Sequence, residues 1–355
     1  MARANKFAWR VVGGRADVSR PRPAPQVSVI VPTYRHADFI GATLESVFAQ
    51  TFTDYEVIVI NDASPDDTDA RLRPLAEAGR IRYVRLEKNG GQAAARNQGI
   101  ALARGAFIAL LDDDDLWPPD KLDWQVAALE AHPEAVVVYG RPSGINESGA
   151  PFLPRDRNGD PEPYPWNGGP GGDVYEAFAQ TCWMVSPGQA LIRRTTLDTL
   201  MGDGGGAPLD ATLWGCDDWD LWLRLAERGR FVFEDHVALH YRFHATNASR
   251  DAFRLQRGYL ALYRKHRRRN RRRPDRLAIL RAAENALRAD LPGWWLAQAY
   301  ADWRVARHPA GAARKIAAVL ALGPRPLLSR RFFGFLRGAL GRARRLYSSE
   351  KPLSP

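Results

Sequence analysis

Residues 27–64 read VSVIVPTYRHADFIGATLESVFAQTFTDYEVIVINDAS, and this stretch decides the fold. It opens on VSVIV (27–31), a continuous apolar run of the kind a strand buried on both faces requires. Residues 37–50 follow, with Phe39, Ile40, Leu44, Val47 and Phe48 spaced for one face of a helix. YEVIVI (55–60) is a second buried strand. A helix between two such strands is the crossover that parallel pairing needs, whereas a hairpin would need only a short turn.

The alternation continues outward. A helix is expected over 65–78, with Ser64 as its N-cap and Asp66 and Asp67 in its first turn. Residues 81–86 form a third strand, 91–104 a helix, 106–111 (AFIALL) a fourth strand, 118–131 a helix and 135–139 (AVVVY) a fifth strand. The fold class is therefore α/β, a mostly parallel, Rossmann-like sheet flanked by helices. Ligands of such sheets bind beyond the carboxyl ends of the strands, so the chemistry is expected just after Val31, Ile60 and Leu111. Residues 141–172, rich in Pro and Gly, read as a long surface loop or lid. Residues 217–228 (DDWDLWLRLAER) read as a helix anchored by Trp219, Trp222, Leu223 and Ala226, which leaves Asp217 and Asp218 in its first turn facing the cleft.

Composition narrows the class. The chain has 355 residues, 45% of them hydrophobic, enough for a substantial core. Its 2 cysteines, Cys182 and Cys216, lack CxxC spacing and cannot form a disulfide scaffold. No apolar run is long enough for an ordinary spanning helix, and residues 1–25 lack the apolar core of a secretory signal. They read as a flexible basic, Pro-rich arm, and the expected setting is cytoplasmic. Of the net charge of +11, residues 250–355 carry 26 Lys+Arg against 6 Asp+Glu, a net of +20, which leaves −9 on the rest. A basic, amphipathic helical region of this kind suits a solvated helix face or a polyanion. Few aromatics interleave its densest run, YRKHRRRNRRR (263–273), so anionic lipid at the inner face of a membrane is favoured over nucleic acid.

The strand ends carry the polar chemistry. Pro32, Thr33 and Tyr34 follow the first strand, Asn61, Asp62, Ala63 and Ser64 the second, and Asp112, Asp113, Asp114 and Asp115 the fourth. Clustered acids at one rim are costly unless a cation joins them. Mg²⁺ or Mn²⁺, sharing its shell with substrate phosphates, is the natural partner, and a solvated acidic loop is the bland alternative. GxxxxGK[ST] and GxGxxG are both absent, which argues against P-loop NTPases and dinucleotide enzymes.

With NGGQAAARNQGIALARGAFIALLDDDDLW (89–117) and WGCDDWDLWLRLAERG (214–229), the sequence resembles the family-2 inverting glycosyltransferases of GT-A fold over about 220 residues. The resemblance implies a transferase domain over 26–249, with a nucleotide-binding half (26–140) and an acceptor half (141–249). In that reading Pro32, Thr33 and Tyr34 wall the nucleotide base, and Asp62 accepts from base or ribose. Arg96 sits near the nucleotide. The DxD motif maps to Asp112 and Asp114, with Asp114 the firmer metal ligand and Asp112 nearer ribose or metal-bound water. The register within the four acids stays open, and Asp113 and Asp115 remain candidates for sugar contacts. Asp218 corresponds to the base, and Asp217 stands where the family has Glu. Arg242 or His244, in LHYRFHATNAS, would reach the diphosphate or metal. Trp183, Ser186 and Gln189 would line the acceptor side.

The implied substrates are a nucleoside-diphosphate sugar, with UDP guessed, and a hydroxyl of a glycan or lipid-linked acceptor in cell-surface polysaccharide synthesis. A noncatalytic nucleotide-sugar binder or scaffold, and a basic-tailed nucleic-acid binder, are the rival readings. Trp294, Trp295 and Trp303 are expected to pack amphipathic helices, or else to form an interfacial belt.

Overall fold

The computed structural model describes residues 9–12, 23–153, 168–202, 206–304 and 307–322. The chain divides into two compact units, Met1–Ala248 and Ser249–Pro355.

The first unit is built on one sheet. Its strands are β1 (Trp9–Val12), β2 (Val27–Thr33), β3 (Tyr55–Asn61), β4 (Arg82–Leu86), β5 (Phe107–Leu110), β6 (Ala135–Ile145), β7 (Ala190–Arg193) and β8 (Arg230–Arg242). They lie in the order β1-β4-β3-β2-β5-β7-β6-β8. The central pairings β2·β3, β2·β5 and β3·β4 are parallel, as is β6·β8. Every residue of β2 is buried, as its unbroken apolar run requires.

Helices alternate with these strands: α1 (Ile40–Phe48), α2 (Thr68–Glu77), α3 (Gln92–Leu102), α4 (Lys121–Ala131), α5 (Tyr175–Gln180), α6 (Arg194–Leu200) and α7 (Asp217–Ala226). Helix α1 buries Ile40, Thr43, Leu44 and Val47, a stripe at i, i+3, i+4 and i+7. Gly99 of α3 lies against Ile30 so closely that a Cβ would overlap that side chain, which lets the helix backbone settle onto β2. Trp219, Trp222, Leu223 and Ala226 of α7 are all buried. So are Asp220 and Arg224, which pair with each other at 2.8 Å across one helical turn.

Several expectations require correction. Ser64 does not cap α2. Its N–H donates to Asn61 Oδ1 (2.8 Å) and its hydroxyl accepts from Arg35 N–H (3.2 Å), while Asp66 Oδ1 accepts from Thr68 Oγ1 (2.6 Å) at the helix start. The fifth expected strand runs on to Ile145, into the stretch read as a loop, because Arg141–Ile145 pair with Val237–Arg242 of β8. Residues 154–167, the middle of that stretch, lie outside the described residues. Three strands went unread, β1, β7 and β8. The four-residue β7 enters antiparallel between β5 and β6, so the sheet is not parallel throughout. Trp9–Val12, inside the segment read as an arm, pairs antiparallel with β4.

The second unit is helical where described: α8 (Ala252–Arg269), α9 (Pro274–Arg304) and α10 (Pro309–Ala321). Asp251 caps α8 by accepting from Arg254 N–H at 3.0 Å. Phe253, Leu291, Trp295 and Val319 form its core, and Trp295 Nε1–H donates to Gln256 Oε1 at 2.9 Å. Trp294 and Trp303 are exposed. Residues 330–345, read as an aromatic and arginine-rich segment, lie outside the described residues. No helix among the described residues is long and apolar enough to cross a membrane.

Candidate active site

The carboxyl ends of β2, β3 and β5 lie on one edge of the sheet, because these strands are parallel and neighbours. Pro32 and Thr33 close β2 and are buried, whereas Tyr34 just beyond is exposed. The loops after β2 and β3 each hold a non-glycine residue in the left-handed region, Arg35 (φ 64°) and Ala63 (φ 60°). Such strain persists only where the surroundings enforce it. Here the Arg35 N–H to Ser64 hydroxyl bond ties the two loops together.

Asp62 is nearly inaccessible, and its two carboxylate oxygens accept from Gly90 N–H and Gly91 N–H, each at 2.7 Å. Gly91 has φ 86°, a conformation that favours glycine, and it is the residue from which α3 starts. Burial pushes the Asp62 carboxyl up, against the two backbone donors.

Helix α3 in turn presents Arg96. This side chain is 3% exposed and joins two acids distant in sequence, Asp112 and Asp217, the latter at 3.1 Å. Asp112 also accepts from Gln92 Nε2 (2.9 Å) and Ser186 Oγ (3.2 Å). Asp217 and Asp218 occupy the first turn of α7, whose N-terminus favours negative charge. Burial and the adjacent Asp217 nonetheless push the Asp218 carboxyl up to about 7, against the pull of Arg96. A carboxylate so placed can exchange a proton near neutral pH.

The four consecutive acids point to four different partners. Asp113 accepts from Tyr34 N–H (3.2 Å) and lies 2.8 Å from His36 Nδ1. Asp114 Oδ2 lies 2.9 Å from His244 Nε2, and that imidazole's Nδ1 is 2.8 Å from Thr246 Oγ1. Asp115 is fully buried and accepts from Arg242 N–H at 2.9 Å, and Arg242 Nε–H donates to the Asp114 carbonyl at 2.7 Å. Burial pushes Asp115 well above the usual carboxylate range. His36, Asp114 and His244 each offer a ligand atom within 4.8 Å of the others, a grouping that could hold a metal ion.

Several of the expected residues therefore form one connected chain of contacts, from Asp62 through the start of α3 to Arg96, and from there to Asp112 and Asp217. Asp218 directly follows Asp217, and Asp114 lies two residues beyond Asp112. Asp115 is inward-facing and ties β5 to the end of β8. Gln189, expected on the acceptor side, is buried, with its Nε2 donating to the Gly140 carbonyl and its Oε1 accepting from Val185 N–H. Trp183 is partly buried and donates to the Ala177 carbonyl at 3.3 Å. Sequence reasoning missed His36 and Gln92. Gln92 sits one turn before Arg96 on the same helix face, a signal that was available.

This architecture, a mostly parallel sheet flanked by helices, is the GT-A fold. The backbone fold matches the mannosyltransferase PcManGT from Pyrobaculum calidifontis, solved with GDP-Man and Mn²⁺, with a TM-score of 0.54 at 22% identity over 92% of this chain and 88% of that one. Residues 28–201 match the family model described as glycosyl transferase family 2, so the chain carries a domain of that family. Among curated relatives, the putative teichuronic acid biosynthesis glycosyltransferase TuaG of Bacillus subtilis is 42% identical over 103 residues, 29% of this chain and 41% of TuaG. The UDP-Glc:alpha-D-GlcNAc-diphosphoundecaprenol beta-1,3-glucosyltransferase WfgD of Escherichia coli is 37% identical over 103 residues, 29% of this chain and 40% of WfgD. Each match spans less than half of the relative's length.

Proposed function

We propose that the chain transfers a sugar from a nucleoside-diphosphate sugar to an acceptor hydroxyl with inversion at the anomeric carbon, and that Asp218 is the general base. The observation that carries this reading is Asp218 itself. It is a carboxyl held near neutrality at a helix start, and Asp217 and Arg96 link that helix to the acidic strand end. In the ionised form Asp218 takes the proton of the acceptor hydroxyl as the oxygen attacks. Assistance of this kind contributes about 10²–10⁴-fold.

Tyr34 offers an exposed ring for a base to stack on, next to the buried Pro32 and Thr33, and Asp62 holds the loop at the start of α3 from which base or ribose contacts are made. Asp114 and His244 fit Mn²⁺ or Mg²⁺, with Asp112 toward ribose or a metal-bound water. The bound ion would neutralise the departing diphosphate, so that no protein acid is required. Arg96 keeps Asp112 and Asp217 oriented, and Asp113 fixes the loop that bears Tyr34.

UDP is the favoured nucleotide, and a glycan or lipid-linked acceptor of cell-envelope polysaccharide synthesis the favoured second substrate, by likeness to TuaG and WfgD. The basic second unit suits an anionic membrane surface on the cytoplasmic side. A thermal-shift panel of nucleoside diphosphates, with and without Mn²⁺, tests the core of the proposal. Stabilisation by one base only, requiring Mn²⁺ and lost in Asp114→Ala, is expected. Indifference to every nucleoside diphosphate would refute it. Binding to phosphatidylglycerol vesicles but not phosphatidylcholine ones, reversed by salt, is the outcome expected of the second unit, and equal binding to both removes that role.

A further inference from the structure

We propose that His36 is a third protein ligand, with Asp114 and His244, of the divalent ion at this edge, and that the paired imidazoles turn the site toward Mn²⁺-class ions and away from Mg²⁺. This rests on the metal-dependent reading above and deepens it.

Three observations converge on His36. The left-handed turn at Arg35 holds it at the carboxyl edge of the sheet. Its Nδ1 lies 2.8 Å from Asp113 Oδ1 and 3.9 Å from Asp114 Oδ2, so the ring stands between two carboxylates. Its ring meets that of His244 edge-on, with centroids 5.5 Å apart, and both rings pack on Phe39.

Metal-bound histidines are commonly oriented by an outer partner on the ring. His244 has one, Thr246 at Nδ1, which leaves Nε2 for the ion; His36 faces Asp114 through the same Nδ1 that Asp113 holds, so a bound ion would replace the Asp113 contact. Ligand bonds of about 2.1 Å place donors at right angles about 3 Å apart. The 2.9 Å between His244 Nε2 and Asp114 Oδ2 fits that edge, and the 3.9 Å from His36 Nδ1 fits a wider angle. Asp112, the other acid of the expected motif, is instead engaged by Arg96, Gln92 and Ser186.

One carboxylate oxygen and two imidazole nitrogens are a poor set for Mg²⁺, which prefers oxygen ligands and keeps its waters. Imidazole nitrogen suits the first-row transition ions. A simple His36–Asp113 ion pair would account for the 2.8 Å contact alone. It would not account for the second imidazole and shared carboxylate beside it.

The test is Mn²⁺ titration of the full chain followed by electron paramagnetic resonance, with pulsed detection of ¹⁴N coupling. Two coupled imidazole nitrogens are expected in the wild type and one in His36→Ala and His36→Gln. Mn²⁺ affinity should fall at least about tenfold in both variants. Mg²⁺ affinity, read by competition, should change far less. A wild-type spectrum with a single nitrogen overturns the proposal without recourse to any variant. So does an unchanged nitrogen count and Mn²⁺ affinity in a folded His36→Ala. If the wild type binds no Mn²⁺ even with UDP present, the metal-dependent reading falls and takes this one with it. If Asp114→Ala abolishes binding while His36→Ala does not, only the His36 assignment fails.

Discussion

Replacing Arg96 with methionine removes the cation that joins Asp112 to Asp217 while keeping an unbranched, similar-sized side chain. In the folded protein Arg96 is 3% exposed, Asp217 6% and Asp112 17%. The two acids are not equally harmed. Asp112 retains Gln92 Nε2 and Ser186 Oγ and some access to water, whereas Asp217 loses its guanidinium partner in a buried setting. Breaking a buried pair from one side costs about 3–5 kcal/mol. For a unit of roughly 240 residues, 1 kcal/mol shifts Tm by about 2–4 °C, so a fall of about 6–20 °C is expected. Part of that loss is recovered where Asp217 takes up a proton, so the deficit should be smaller at pH 6 than at pH 8.

The assay is thermal unfolding of Arg96→Met, Asp217→Asn and the double variant at those pH values. The double variant should be more stable than the sum of the single effects predicts, by about 1–3 kcal/mol. Strict additivity, or an Arg96→Met transition within about 2 °C of wild type, refutes the argument that this cation is what keeps the two acids buried together.

Three further outcomes follow from the same geometry. Asp218→Asn should lower kcat by about 10²–10⁴-fold with Tm preserved or raised, since its burial disfavours the charged form; in the wild type the rate should rise with pH and level off above about 7, read from a pH–rate profile. Glu56, buried and bonded by Ser28 Oγ, Arg82 and Arg104, has its carboxyl held below the usual range: burial alone would raise it, and the donors prevail. Its contribution is therefore complete above the unfolded value of about 4.5 and is lost as pH falls through the lower folded value, so Glu56→Gln should cost about 1.5–3 kcal/mol at pH 7 by urea unfolding and nothing measurable once the wild-type carboxyl is protonated. Gly105→Ala would place a Cβ 2.6 Å from the Ser28 backbone nitrogen, where nothing flexible can yield, and should cost about 1–3 kcal/mol in the same assay.

How much of this was legible in the sequence depended on the range of the interaction involved. The central strands β2, β3 and β5 were readable because an unbroken apolar run has few other uses, and the edge where their loops gather followed from parallel pairing alone. β7 was not. ALIR is four residues long, and only tertiary pairing with β5 and β6 makes it a strand. Ser64 misled because a serine before two acids fits a helix cap, yet its hydroxyl was claimed by Arg35 from another loop. Arg96 could be placed near the site but not assigned a partner, since Asp217 is 121 residues away. His36 carried no signal of its own: an isolated histidine in a polar loop has many uses, and its neighbours Asp114 and His244 are fixed only by the fold.

The four successive aspartates illustrate why a motif's register resists reading from spacing. The four acids lie in a turn beyond the end of β5, closed by Asp115 N–H donating to the Asp112 carbonyl at 3.3 Å, so successive side chains fan out toward different partners. Asp112 turns to α3, Asp113 to the loop after β2, Asp114 to His244 beyond β8, and Asp115 into the interior against Arg242. The block thus ties together four parts of the chain that are remote in sequence, and at least one of its members, Asp115, is structural. Asp115 is fully buried and turned inward onto the Arg242 N–H, so fewer than four acids are offered to a cation at the edge. With Asp112 bound by Arg96 and Asp113 accepting from the Tyr34 N–H, Asp114 is the acid left to face an ion, and a single carboxylate holds a divalent cation weakly unless other donors join it. In the reading proposed above, the imidazole nitrogens of His36 and His244 are those other donors.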